Sequence, residues 1–293
     1  MASRNLLFPL AAAAAGIAAF SAMDAAMKGA SIAAGVYTAL VIRAYLASLL
    51  IAPAWLLTGR RLPGPAAMRV HLQRSVVVVA MAPLFFWGLV RLPIAEAIAI
   101  SFIAPLIALY FASLILGEQI RPAAIMASLL GIAGVLVIAA GRLGEGEFTQ
   151  DSMLGVASIL ASAVFYALNL VLQRKQALLA GPIEIALFQN LVIALIFTLP
   201  MPWLFAMPGV AGLKLIALSA VLALAALMAL SWGYARAEAQ VLVPIEYTGF
   251  LWAALYGWLF FSETVSLATV AGAALIVVGC LIATRGHTVQ TAA

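Results

Sequence analysis

Of the 293 residues, 67% are hydrophobic and 9% are charged, and the mean hydropathy is +1.19; soluble domains run at about 45–50% and about 25%. So few charges cannot cover a water-soluble surface, which excludes a cytosolic enzyme, a nucleic-acid-binding domain and a disordered chain. The net charge of +5 therefore reads as loop lysines and arginines that hold a topology, not as a nucleic-acid surface.

The chain reads as an all-α polytopic membrane protein. A spanning helix needs about 20 apolar residues. Apolar runs at 8–28, 35–57, 72–90, 95–116, 122–140, 152–174, 182–202, 211–235, 240–261 and 266–284 predict ten of them. The runs are long and lack the alternation of barrel strands. The first carries Asp24 and Lys28 and no small-residue cleavage site follows it, so it is expected to be a retained helix. Pro63, Gly64 and Pro65, then Pro93, Gly117 and Pro122, then Gly181 and Pro182, and Pro208 with Gly209 punctuate the runs.

Ten spans put Arg4, Arg60, Arg61, Arg69, Arg74, Arg121, Arg174, Lys175, Arg236 and Arg285 on the face holding both termini. Lys28, Arg91, Arg142 and Lys214 fall on the other face, and Arg43 inside a span. The positive-inside rule then expects both termini in the cytoplasm.

The strongest organising signal is a repeat at an offset of 145. Residues 86–118 align without gaps on residues 231–263. Trp87 falls on Trp232, Gly88 on Gly233, Arg91 on Arg236 and Glu118 on Glu263, and the same offset puts Asp24 on Asn169. Five spans per unit is an odd number, so the second unit, 146–293, enters the membrane upside down relative to the first, 1–145. Such inverted repeats recur in secondary transporters, with the binding site near the midplane between them.

A Trp-Gly pair, a short arginine-containing turn, a long span ending in Gly-Glu or Ser-Glu and a glycine-bearing span thus occur twice. In this pattern the chain resembles the EamA-type drug/metabolite transporter superfamily, in particular its bacterial aromatic amino acid exporter branch. The resemblance implies a ten-helix inner-membrane carrier exporting small metabolites, with a cavity lined by helices one, three, four, six, eight and nine. The second unit departs from the first: Ser262 stands where Gly117 does, Glu246 replaces Ser101, and the first unit lacks an equivalent of Tyr247.

Ionisable side chains inside a span cost at least a few kcal/mol, roughly 2.5–3.5 on insertion scales, and persist where they face a cavity or a partner. Asp24 and Lys28, four apart, share a helix face and read as a pair meeting a zwitterion, or as a lysine reaching the surface with Asp24 pairing it. Arg43 offers a fork for a carboxylate, or a bond to a helix end or to Asp24; by helix position its counterpart is Asn190. Glu246, in Pro244-Ile-Glu-Tyr247-Thr-Gly, reads as a site on a locally broken helix, for an amine or a proton. Ser101 marks the matching helix of the first unit. Pro83, Pro105 and Pro244 are expected hinges. Phe86, Tyr166, Tyr247 and Trp252 are expected to line an apolar pocket. Tyr166, Asn169 and Gln173 form one polar stripe on the sixth helix. Glu118 and Glu263 are expected to bond loop amides or the start of the next helix. Small residues on the fifth and tenth spans read as scaffold or homodimer faces.

No phosphate-binding loop, hydrolase motif or metal-ligand spacing appears, so neither ATP hydrolysis, a cofactor nor a metal is expected. The expected function is alternating-access export of small amphipathic metabolites, neutral or aromatic amino acids foremost. The alternative is export of cationic drugs or another small metabolite against protons.

Overall fold

The computed structural model describes residues 7–57, 62–116, 122–144, 149–177, 179–234 and 247–285. The first half supplies α1 (Leu7–Ala34), α2 (Val36–Leu57), α3 (Pro65–Leu89), α4 (Ile94–Ser101), α5 (Ala104–Leu116) and α6 (Pro122–Gly144). The second supplies α7 (Gln150–Ala177), α8 (Pro182–Thr198), the short α9 (Met201–Leu204), α10 (Val210–Tyr234), α11 (Gly249–Phe261) and α12 (Leu267–Arg285). Among the described residues, α1, α2, α3, α7 and α10 are long and apolar enough to cross a membrane, and shorter apolar helices cover the other predicted spans. Helices satisfy their own backbone groups, the condition for lying in hydrocarbon. The chain is an all-helical, multi-pass membrane protein.

Local chemistry sets the helix boundaries. Gly35, at a φ of +80°, is the whole joint between α1 and α2. Extended Gly64 followed by Pro65 starts α3. That start lies earlier than the predicted 72 and draws Arg69 and His71 into the helix. Residues 235–246 fall outside the described residues, so the predicted start of the ninth span, with Glu246 and Pro244, is not covered.

The predicted fourth span is broken. Phe102 and Ile103 form a turn between α4 and α5, with the Ile103 amide donating to the Ile100 carbonyl at 3.2 Å. Pro105, one residue into α5, has no amide hydrogen and its ring crowds the carbonyl four residues back, so the ladder fails just before it. By contrast, α3 runs unbroken through Pro83.

Packing follows the inverted repeat. α1 lies along α10, and α3 along α7. Exchanging the halves turns one pairing into the other. α2 against α8, α4 against α11 and α6 against α12 each map onto themselves. At the centre of this arrangement the Phe102 and Tyr247 rings meet edge to face, centroids 5.3 Å apart. The two residues are separated by the repeat offset, so Phe102 is the equivalent of Tyr247 that the sequence reading denied to the first unit. What recurs there is an aromatic ring, not a hydroxyl.

Small residues bring α6 and α12 into backbone contact. A Cβ on Gly134 would stand 2.6 Å from the Gly272 carbonyl oxygen, and one on Gly272 would stand 2.5 Å from that of Gly134. These faces are thus used within the chain, which takes from the homodimer expectation the surface it rested on.

Candidate functional site

Three polar neighbourhoods lie among the apolar helices. The first joins α1, α2 and α3. Asp24 and Arg43 lie close enough for their charges to act on one another. The Arg43 guanidinium sits 5.6 Å from the centroid of the buried Phe86 ring, and its Nη1 lies 3.3 Å from Met23 Sδ. A hairpin with a one-residue joint explains the meeting. Asp24 lies about 16 Å and Arg43 about 12 Å from the bend, at 1.5 Å per residue, so the two lie within one helical turn of the same level. A carboxylate, a guanidinium fork and an aromatic face are together the complement of an ammonium, a carboxylate and an apolar side chain. Both charged residues are half-buried.

Asp24 and Lys28 do not pair, contrary to both sequence readings. Lys28 is buried and donates to the Leu92 carbonyl at 2.6 Å and to Glu263 Oε1, with the Phe261 ring 5.2 Å away. Its long stem carries the ammonium to the α3–α4 connection, where a carbonyl and a carboxylate receive it. Glu263 Oε2 also accepts the Ile94 amide at 2.7 Å, at the first turn of α4. Glu263 therefore caps a helix of the opposite repeat instead of the helix after its own, because the inverted packing brings α4 against α11. Beside this lock is a cavity of about 420 Å³ lined by Lys28, Val90–Pro93, Thr149, Asp151, Ser152 and Glu263. At its rim Arg91 bonds Asp151 at 2.8 Å and lies 3.4 Å from the Trp87 ring centroid. Glu118 lies outside the described residues.

The third neighbourhood is a clamp between α3 and α7. Arg74 donates through Nε to Asn169 at 2.8 Å, through Nη1 to Gln176 at 2.5 Å and through Nη2 to Gln173 at 2.9 Å. Tyr166 lies within electrostatic reach of Arg74, with its ring over the alanine contact of α5 and α7. Gln176 Nε2 lies 2.6 Å from His71 Nδ1, and His71 Nε2 lies 3.3 Å from Glu184 of α8. Phe188 stacks on the His71 ring.

The structure brings together Asp24, Arg43 and Phe86, and separately ties Asn169 to Arg74. It brings Tyr247 to Phe102. Ser101 Oγ donates to its own helix, at the Ala97 carbonyl, 2.8 Å away. Trp252 stacks on Tyr256, and Tyr256 on Phe260, in a ladder along α11 that ends at an exposed ring. Asn190, taken as the counterpart of Arg43, donates to Ala186 of its own helix. Arg74, His71, Gln176 and Glu184 join this polar neighbourhood without having been singled out as candidates from the sequence. The signal was present: Arg74 falls inside the predicted third span, and Gln176 continues the Asn169–Gln173 stripe by one helical step.

This arrangement can be compared with known proteins. The EamA-like transporter family model matches residues 7–140 and again 153–285. The chain belongs to the EamA-like transporter family. It is a transporter and not an enzyme. Its relatives include the pseudopaline exporter CntI of Pseudomonas aeruginosa, 29% identical over 91% of this chain and 92% of that protein. A riboflavin transporter of Rhizobium johnstonii is 28% identical over 76% of this chain and 74% of its own length. The aromatic amino acid exporter YddG of Ancylobacter novellus is 31% identical over 32% of each chain. The resemblance to that branch is thus confined to about a third of this EamA protein. A solved crystal structure shares the fold, with a TM-score of 0.64 at 23% identity, covering 94% of this chain and 96% of that chain.

Proposed function

We propose that this EamA transporter is a secondary exporter of small zwitterionic metabolites, neutral and aromatic amino acids foremost. Asp24 would take the substrate ammonium, the Arg43 fork its carboxylate, and Phe86 its apolar part. The one observation that supports this most is the meeting of Asp24 and Arg43 against an aromatic face, since opposite charges on two neighbouring helices mirror a zwitterion. Tyr247, Tyr166 and, from the sequence, Glu246 would complete the pocket. The two repeats, 1–145 and 146–293, would expose it alternately, bending at the break before Pro105 and, from the sequence, at Pro244. Export is supported by two relatives, the pseudopaline and aromatic amino acid exporters. The arginine distribution supports an inner-membrane position with both termini cytoplasmic.

Counterflow in proteoliposomes tests it. Vesicles preloaded with unlabelled tryptophan, phenylalanine, methionine or threonine should accumulate the labelled amino acid, while sugars, nucleosides and a cationic dye should not exchange. Arg43→Lys keeps the charge and loses the fork, so half-saturation should weaken roughly tenfold. Exchange of the dye alone would replace the amino acid reading with the cationic-drug one.

A further inference from the structure

The clamp between α3 and α7 has a direction built into it. A guanidinium only donates hydrogen bonds, so Arg74 obliges Gln176 to present its amide oxygen. The other end of that amide, Nε2, also only donates. It faces His71 Nδ1 at 2.6 Å, so that ring nitrogen must be a bare acceptor. The ring proton then resides on Nε2, which donates to the Glu184 carboxylate at 3.3 Å. Hydrogen bonds run one way, from Arg74 through Gln176 and His71 to Glu184. The imidazole and the Gln176 amide are both fully buried, so no water substitutes within this stretch. The ends are wetter: the Glu184 side chain is 25% exposed and Gln173 is exposed.

A second proton on His71 breaks this order. It must occupy Nδ1, making that nitrogen a donor aimed at the donor Nε2 of Gln176. Turning the amide restores the bond to His71 but points its NH₂ at Arg74. Either way one link between the repeats is lost. Among the described residues, α8 presents Glu184 to His71, α3 itself contributes Arg74, α7 presents the neutral amide of Gln176, and α2 brings apolar Ile51 and Trp55 to the adjoining cluster with Phe188.

We infer that His71 is a proton-binding site whose occupancy releases the Arg74–Gln176 link between the two repeats. The proton comes from water on the face bearing the chain termini, where α3 begins and α7 ends, and bonds to Nδ1. The Gln176 amide turns its oxygen to the new Nδ1–H, and the hydrogen bond from Arg74 to that oxygen breaks. Departure of the proton to the same water reseals the link. Proton uptake and loss of the Arg74–Gln176 bond are therefore one event, while Asn169 and Gln173 keep their hold on Arg74. The inference rests on the chain being a carrier, not on its cargo.

Nitrogen NMR of the full chain in lipid nanodiscs, labelled at histidine and arginine, tests it without any solute. Failure here is thus separate from failure of the amino acid reading. His287 is the other histidine, and His287→Gln removes its signals; Arg74→Lys identifies the Arg74 line. The neutral His71 ring should carry its proton on Nε2. As the pH is lowered, the hydrogen-bonded Arg74 signal should be lost with the same midpoint as protonation of His71, read from its ring nitrogens in the same sample. His71→Gln should abolish that loss. In Gln176→Leu, His71 should show both neutral tautomers, and Arg74, still held by Asn169 and Gln173, should be indifferent to pH. A neutral ring protonated on Nδ1, an Arg74 line that ignores His71, or one that follows pH equally in either variant would overturn the inference.

Discussion

Phe102 and Tyr247, 145 residues apart, occupy the same place in the two repeats and touch each other at right angles, centroids 5.3 Å apart. A residue touches its own repeat equivalent only where the pseudo-twofold axis passes. Both positions also lie at helix starts, the break between α4 and α5 and the turn before α11. The ends of two opposed helices therefore share one aromatic contact. Phe102→Ala and Tyr247→Ala should each slow counterflow, and the double variant should be little slower than either. An edge-to-face pair contributes about 0.5–1.5 kcal/mol, so a double-mutant cycle on thermal unfolding should return a coupling in that range. Additive effects would separate the two rings.

Lys28 and Glu263 form a buried pair, their side chains 6% and 14% exposed. Removing one member of such a pair strands a charge and costs about 3–5 kcal/mol, whereas removing both often costs little. Lys28→Met should therefore lower the unfolding temperature more than Lys28→Met combined with Glu263→Gln. The double variant keeps an amide oxygen for the Ile94 amide. A double variant less stable than Lys28→Met would show that Glu263 acts chiefly as the cap of α4.

Ser262 closes α11 with a φ of +55°. That left-handed conformation costs a side-chain-bearing residue about 1–2 kcal/mol, and glycine far less. Ser262 is exposed. Ser262→Gly should thus stabilise the protein by about 1 kcal/mol, and the β-branched Ser262→Val should destabilise it by more. Chemical unfolding in detergent reads both. An unchanged Ser262→Gly would mean that the turn relaxes without strain.

Gly134 and Gly272 allow α6 and α12 to meet carbonyl against Cα. Any Cβ there must push backbone aside, since neither carbonyl can rotate away within a helix. Overpacking of this kind costs about 1–3 kcal/mol. Gly134→Ala and Gly272→Ala should each lower stability by about that much, and Gly272→Val should cost more. If both alanine variants unfold like the parent protein, the two helices are not in close contact.

How much of this was legible depended on how far apart the partners lie in the chain. The repeat, the ten spans and the break near Pro105 were visible because each is local or periodic. The Asp24–Arg43 meeting was within reach too, since a one-residue bend at Gly35 sets the two nearly level. Lys28 was assigned to Asp24 because helical spacing offers only near neighbours. Its real partner, Glu263, comes from the far end of the other repeat through the inverted packing. Arg74 was counted among loop charges, because a positive residue near a span end usually is one. Its amide partners on α7 become visible only when α3 and α7 lie side by side.

The joint at Gly35 ties two movements into one. A single left-handed residue between two long helices leaves no slack in length, so α1 and α2 form an elbow with a fixed corner. If α1 tilts against α10, the elbow carries α2 with it. Asp24 and Arg43 ride on the two arms at nearly equal distance from the corner. The site they form would then swing as a unit, keeping its two charges in step while the walls around it change. A carrier built this way can move its cargo's surroundings without letting go of either end of the cargo.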